Sequence, residues 1–168
     1  MGREVLPGGP PPELTEQRSD IVLFACGDPA HAEHDSIAIA AAKSLPPETL
    51  EQVDLKLTGP MRAEYLRDLT PGTHVVIADT APGTPGETVE LTFLELSGRE
   101  ESFAASATTD PPLDEVVAMA QLLRDKPIRG RFVGLGVDSE DLTTPPDADR
   151  VATLRGAIER VVAELEAG

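Results

Sequence analysis

Apolar residues in this chain come in two rhythms. Short runs rich in strand formers, Ile21 to Cys26 (IVLFAC), Val53 to Leu57, His74 to Ala78 and Arg131 to Val137, predict four strands. Elsewhere the apolar spacing changes to three and four. Ser36 to Leu45 is Ala-rich with Ile37 and Ile39, Met61 to Leu69 carries Met61, Tyr65, Leu66 and Leu69, and Leu113 to Leu123 repeats Val116, Val117, Ala120 and Leu123 on one face. Each of these predicts a helix. A last helix starts after Pro145-Pro146, with Asp147 as N-cap, and sets Val151, Leu154, Ile158, Val161 and Leu165 at helical steps, its Arg and Glu residues forming a solvated face. The segment Thr88 to Leu96 (TVELTFLEL) alternates after the turn Pro82 to Gly86 and predicts a half-exposed strand in an edge hairpin. Strands that alternate with helices pair in parallel and need helices on both faces, so the expected fold class is α/β: a three-layer α/β/α sandwich with a mainly parallel, doubly wound sheet.

Residues 1–19 break this pattern. Clustered Pro and Gly with few apolar side chains cannot repay the entropy of ordering, which predicts a flexible leader ahead of one domain at 20–168. The PPP run within it is a weak polyproline signal when it stands alone.

Charge narrows the partners. The chain has 14 Lys and Arg against 30 Asp and Glu, a net charge of −16, with 4 Phe, 1 Tyr and no Trp. It offers neither a basic track for phosphates nor aromatic platforms for bases, so nucleic acid is excluded as a partner. Cys26 is the single cysteine, which excludes an intramolecular disulfide and Cys-based zinc motifs. With no signal-like segment and no long apolar run, the expectation is a cytoplasmic protein without membrane insertion. Oligomeric state is not legible.

In an open α/β sheet the ligand site lies outside the carboxyl ends of the strands, so candidate chemistry is sought just after each apolar run. The first run is followed by Gly27-Asp28-Pro29-Ala30-His31-Ala32-Glu33-His34-Asp35, which holds all but one of the histidines. With Gly27 as its only glycine the loop is no GxGxxG or P-loop fingerprint, so a nucleotide cofactor is not expected. His31, His34 and Asp35 are of the type that bind zinc or nickel, yet the same residues read equally as a solvated loop with Asp35 capping the next helix. Asp79 follows the most apolar strand directly and is either a turn former or a ligand. Cys26, inside an apolar strand, reads as a small buried hydrophobe rather than a nucleophile.

Taken in order, Gly27-Asp28-Pro29, the acidic loop, Asp35-Ser36-Ile37-Ala38-Ile39, the strand ending in Asp79, Pro85-Gly86-Glu87-Thr88, Thr108-Thr109-Asp110 with Pro112-Leu113, and Phe132 to Val137 resemble the [NiFe]-hydrogenase maturation endopeptidases. The resemblance runs from about Asp20 to the C-terminus. It implies a protease that removes a short C-terminal peptide from a hydrogenase large-subunit precursor after nickel insertion, with nickel in the substrate cleft. By the same resemblance Asp35 and Asp79 are the two carboxylates of the cleft, catalytic and metal-binding, and Thr80, Thr108 and Thr109 line it. The family histidine falls on Thr109, and a neutral hydroxyl is a weak donor to nickel, so either His34 or His31 restores a nitrogen ligand or the metal site is weakened or absent. That departure supports an alternative: a non-catalytic relative that keeps the scaffold as a binding or chaperone-like subunit. A small-molecule hydrolase or nucleotide-binding module on the same fold has no motif behind it.

The leader reading has a direct test. Deleting residues 2 to 17 should leave the stability measured by denaturant unfolding within about 1 kcal/mol of the full chain, as for a segment without buried contacts. A larger loss would mean that the segment is docked.

Overall fold

The four runs and the alternating segment collect into one five-stranded sheet. The computed structural model describes residues 20–27, 37–58, 61–70, 72–82, 86–97, 113–124, 128–137 and 148–167. The leader at 1–19 lies outside them. Strand β1 (Ile21–Cys26) is buried along its whole length and pairs in parallel with β2 (Asp54–Thr58) on one side and β3 (His74–Pro82) on the other. β3 pairs in parallel with β5 (Arg129–Val137), and β4 (Thr88–Thr92) closes the edge antiparallel to β5, giving the order β2-β1-β3-β5-β4.

Period-two alternation splits the sheet's side chains between two cores. Leu23, Ala25, Val76, Ala78, Val133 and Leu135 pack under α1 (Ile37–Lys43) and α6 (Ala148–Ala167), with Leu50 of α2 (Pro47–Gln52) at the margin. Val22, Phe24, Cys26, Val75, Ile77 and Phe132 pack under α3 (Ala63–Arg67), α4 (Phe93–Ser97) and α5 (Leu113–Leu122). Three layers result, as the strand and helix rhythms predict. The exposed side of α6 reaches the sheet edge through ion pairs of Arg160 with Glu90 and of Glu164 with Arg131. Arg124, just past α5, donates to the carbonyls of Leu66, Arg67 and Leu69 at 3.1, 3.0 and 2.7 Å, closing the end of α3. No helix among the described residues is long and apolar enough to cross a membrane.

Three local expectations are corrected. β3 runs on to Pro82 instead of stopping at Ala78, because Asp79 to Pro82 continue the ladder against Gly134 to Val137. The edge strand exists, but it forms no hairpin with β3: the more apolar β5 takes the place beside β3, and the short half-exposed β4 is left at the rim. Thr88 to Leu96 is also not one strand. The chain turns helical at Phe93, where Thr92 and Glu95 form a reciprocal cap: the Thr92 N–H donates to Glu95 Oε1 at 2.9 Å, and the Glu95 N–H donates to Thr92 Oγ1 at 3.1 Å. The turn buries Phe93 and Leu96 and leaves Leu94 83% exposed. Phe93 then lies over Gly130, where an added Cβ would stand 2.5 Å from the ring. The helix α2 was not anticipated either; Pro46 in an extended conformation and Pro47 at its first turn start it.

One pair of charges is buried in the sheet. Asp54 and Lys56, 2% and 5% exposed, stand two residues apart on β2 with Nζ 3.5 Å from Oδ2, beside Val22 and Phe24. Removing one partner leaves the other charge desolvated, so Lys56→Ala should cost about 3–5 kcal/mol in denaturant unfolding, while Asp54→Leu with Lys56→Met should recover most of it. Equal losses in the single and double variants would contradict this. The cap on α4 carries a pH signature as well. The Thr92 backbone N–H, helped by the Thr92 hydroxyl, holds the Glu95 carboxyl below its ordinary value. Its contribution is complete above the unfolded glutamate value and is lost as pH falls through the lower folded one, so the amide protection factors over 93–97 should fall in acid, and Glu95→Gln should flatten that dependence.

Candidate functional site

The strand registers align side chains in rows across the face covered by α3, α4 and α5. One row is Lys56, Phe24, Ile77, Phe132 and Leu91, in the order β2-β1-β3-β5-β4. Two residues further along is Thr58 beside Cys26, and Asp79 beside Gly134, which faces Val89. One step past the pair Ala25 and Ala78, the β1–β3 register sets Cys26 next to Asp79. The first row is large and mostly apolar; the second, toward the carboxyl end of the parallel strands, has smaller side chains and holds the polar Thr58 and Asp79.

Asp79 is the charge in that second row. It alternates with Val75 and Ile77 and is 2% exposed. The Thr80 N–H donates to its Oδ1 at 2.7 Å, which fixes the orientation of the carboxylate. Of the two readings left open for Asp79, the geometry departs from a simple turn former: the residue sits inside the ladder, with Thr80, Ala81 and Pro82 still paired beyond it. Thr80 does not line the same side. One residue on, it falls by alternation on the α1 and α6 face with Val76 and Ala78, and it meets Asp79 through its backbone N–H.

The position within the topology matters as much as the contact. β2 lies to one side of β1, and β5 and β4 lie beyond β3 on the other. From β1 the chain goes on to β2 on one side, and from β3 to β4 and β5 on the other, so the β1–β3 boundary is the switch point where open α/β sheets place their ligands. Asp79 lies in the second half of β3 on one side of that boundary, and β1 ends at Cys26 on the other.

Asp35, His34, His31, Thr108 and Thr109 lie outside the described residues, so the predicted pairing of Asp35 with Asp79 and the choice of a histidine ligand fall outside them too. Among the described residues no group of three His, Cys, Asp or Glu side chains is placed to hold a metal ion. His74, the remaining histidine, begins β3 at the end away from Asp79, its N–H donating to the Asp20 carbonyl at 2.8 Å. Cys26 is buried, as its apolar run implies. Sequence reasoning missed Cys26 and Gly134 as the flanks of Asp79. Counting by twos along each run gives their face, but only the register makes them neighbours. An oriented carboxylate at this position can bind a cation or accept a proton from a bound nucleophile.

Comparison with solved structures agrees with this architecture. The hydrogenase maturating endopeptidase HybD from E. coli superposes with a TM-score of 0.58 at 18% identity, covering 88% of this chain and 92% of that one. The [NiFe] hydrogenase maturation protease HycI from Thermococcus kodakarensis KOD1 gives 0.59 at 18% identity, covering 92% and 97%. An endopeptidase from Escherichia coli solved in solution gives 0.61 at 21% identity, covering 87% and 93%. No protein-family model and no curated protein matches the sequence. The chain therefore has the fold of the hydrogenase maturation endopeptidases over nearly its whole length, and the resemblance read from its motifs is borne out in the fold.

Proposed function

We propose that this protein is an endopeptidase of hydrogenase maturation, acting on the C-terminal extension of a [NiFe]-hydrogenase large-subunit precursor after nickel insertion. The observation that carries the reading is Asp79: a buried, oriented carboxylate at the switch point of a fold shared with HybD and HycI. In this reading the nickel belongs to the substrate. Asp79 and Asp35 receive it at the cleft, and the polarised peptide carbonyl beside it is attacked by water; a carboxylate takes the water's proton and returns it to the leaving amine as the C–N bond breaks. The net charge of −16 favours approach of a basic segment of the partner. Such a protein works where the precursor is assembled, in the cytoplasm.

Thr109 favours a second reading. The resemblance sets it where the family has a histidine, and two carboxylates without an imidazole hold nickel weakly. A chain of this kind can keep the partner groove as a binding or chaperone-like subunit without turnover.

Incubation of the purified chain with nickel-loaded large-subunit precursor separates the two. A precursor shortened by one peptide, seen by mass spectrometry, supports the endopeptidase; a stable complex with a full-length precursor supports the binding subunit. For the isolated chain, titration calorimetry should find weak nickel binding that Asp79→Asn abolishes and Thr109→His tightens. His34→Ala should weaken it as much as Asp79→Asn if His34 is the nitrogen ligand, and His31→Ala should not. Tight binding indifferent to Asp35, His34 and Asp79 would place the metal elsewhere.

A further inference from the structure

We propose that the outward face of α5 is a docking surface, and that its partner is an apolar helix with basic flanks on the precursor that carries the peptide to be cut. Naming the precursor rests on the endopeptidase reading; the surface itself does not. Val116, Val117 and Ala120 turn one side of α5 into the core, and the opposite side carries Glu115, Ala118, Met119, Leu122 and Leu123, spaced three and four apart. Leu122 is 87% exposed, and Met119 and Leu123 are about half exposed. Leu123 still belongs to the turn, its N–H donating to the Ala120 carbonyl at 3.1 Å. Apolar side chains scattered singly over a surface carry no meaning, but these are grouped. Among the described residues, every large apolar side chain left exposed lies on α4, on α5 or directly after it, except Leu57 on β2. α6, on the other side of the sheet, shows a face that meets only water: it exposes Asp149, Thr153, Arg160, Glu164 and Glu166 among small residues.

Area and charge select the occupant. Even with Leu94 of α4 counted, these side chains expose on the order of 500 Å², so pairing the face with a second copy would bury about 1,000 Å² in all, short of the ~1,600 Å² of a stable interface. Two copies would also bring together two net charges of −16. A cationic partner meets the opposite field. Glu64, Glu95 and Glu115 stand exposed on α3, α4 and α5, while Arg67 is paired with Asp68 and Arg124 gives its Nη1 to three backbone carbonyls, which leaves Arg62 at the start of α3. A ridge with this spacing is met by the apolar stripe of another helix. α5 leads into the start of β5, so its own first turn lies toward the carboxyl end of the sheet, in the layer on the Asp79 face. A chain that leaves a helix docked on α5 can therefore reach the switch point.

The test uses the full-length chain. A synthetic helical peptide with a leucine face and Lys flanks should bind it more tightly than the same peptide with Glu flanks. Leu122→Ser and Met119→Ser should each weaken the Lys-flanked peptide about tenfold, the scale of one lost apolar anchor, and rising salt should weaken it further. Ala152→Ser, on the exposed side of α6, should change nothing. Circular dichroism checks that each variant is folded, as expected for exposed positions. Equal binding of the two peptides, or binding indifferent to both Leu122→Ser and Met119→Ser, overturns the surface. The partner is read by Leu122→p-benzoylphenylalanine, irradiated with nickel-loaded large-subunit precursor and mapped by mass spectrometry. The expected cross-link is to an apolar precursor segment flanked by Lys or Arg. Cross-links only to a second copy, or only to residues 1–19 of the same chain, overturn the inference. In precursor cleavage Leu122→Ser should raise KM about tenfold and leave kcat unchanged, because the face is remote from the reacting atoms. A precursor cleaved with unchanged KM in that variant overturns the surface and leaves the endopeptidase reading standing. Peptide binding as expected, with a precursor that is never shortened, supports the surface and overturns the endopeptidase reading.

Discussion

The parallel pairing of β3 between β1 and β5 is the constraint on which the rest depends. Side chains alternate with a period of two, so a slip of one residue would exchange the two cores and carry Asp79 into the layer under α1 and α6. What prevents the slip is the row Phe24, Ile77, Phe132 and Leu91, four large side chains that fit only one face, with the Tyr65 ring stacked on Phe24 at 6.2 Å. The site is the next row along. It can hold Thr58 and Asp79 among small side chains because the row behind it provides the burial.

The edges of the sheet are handled by different means. At β2, the buried Asp54 and Lys56 stand where an interior strand would carry apolar side chains, and such a pair is better understood as fixing a register than as a large source of stability. At β4, a short, half-exposed strand runs antiparallel and is tied to α6 through Glu90 and Arg160. Between them the fully covered strands β1, β3 and β5 are left to position the switch point.

Likeness at 18–21% identity in the structures compared speaks for the scaffold, while chemistry depends on particular side chains. Here the described residues present the oriented carboxylate of Asp79 at the switch point, and the sequence offers threonine where the resemblance leads one to look for histidine. The distance between an endopeptidase and a binding subunit on this fold is therefore a matter of one or two ligands and not of architecture. A protein can cross it without changing any packed row.

The hydrophobic rhythms alone determined the α/β class, the parallel strands, most of the helices and the placing of Asp79 just past the apolar run of β3, since burial on both faces leaves its mark on every residue of a run; that the strand continues through Asp79 to Pro82 was decided by its pairing with β5. The reciprocal cap at Thr92 and Glu95 was also present in the sequence as T-x-x-E, and it outweighed the alternation that suggested a longer strand. Tertiary structure decided the rest. Which strand lies beside β3, and therefore that β4 is an edge without a hairpin, depends on the competition between β4 and β5 for one place. That Cys26 and Gly134 flank Asp79 depends on register between residues far apart in the chain, and a one-dimensional pattern carries the face of each residue but not its neighbour across the ladder.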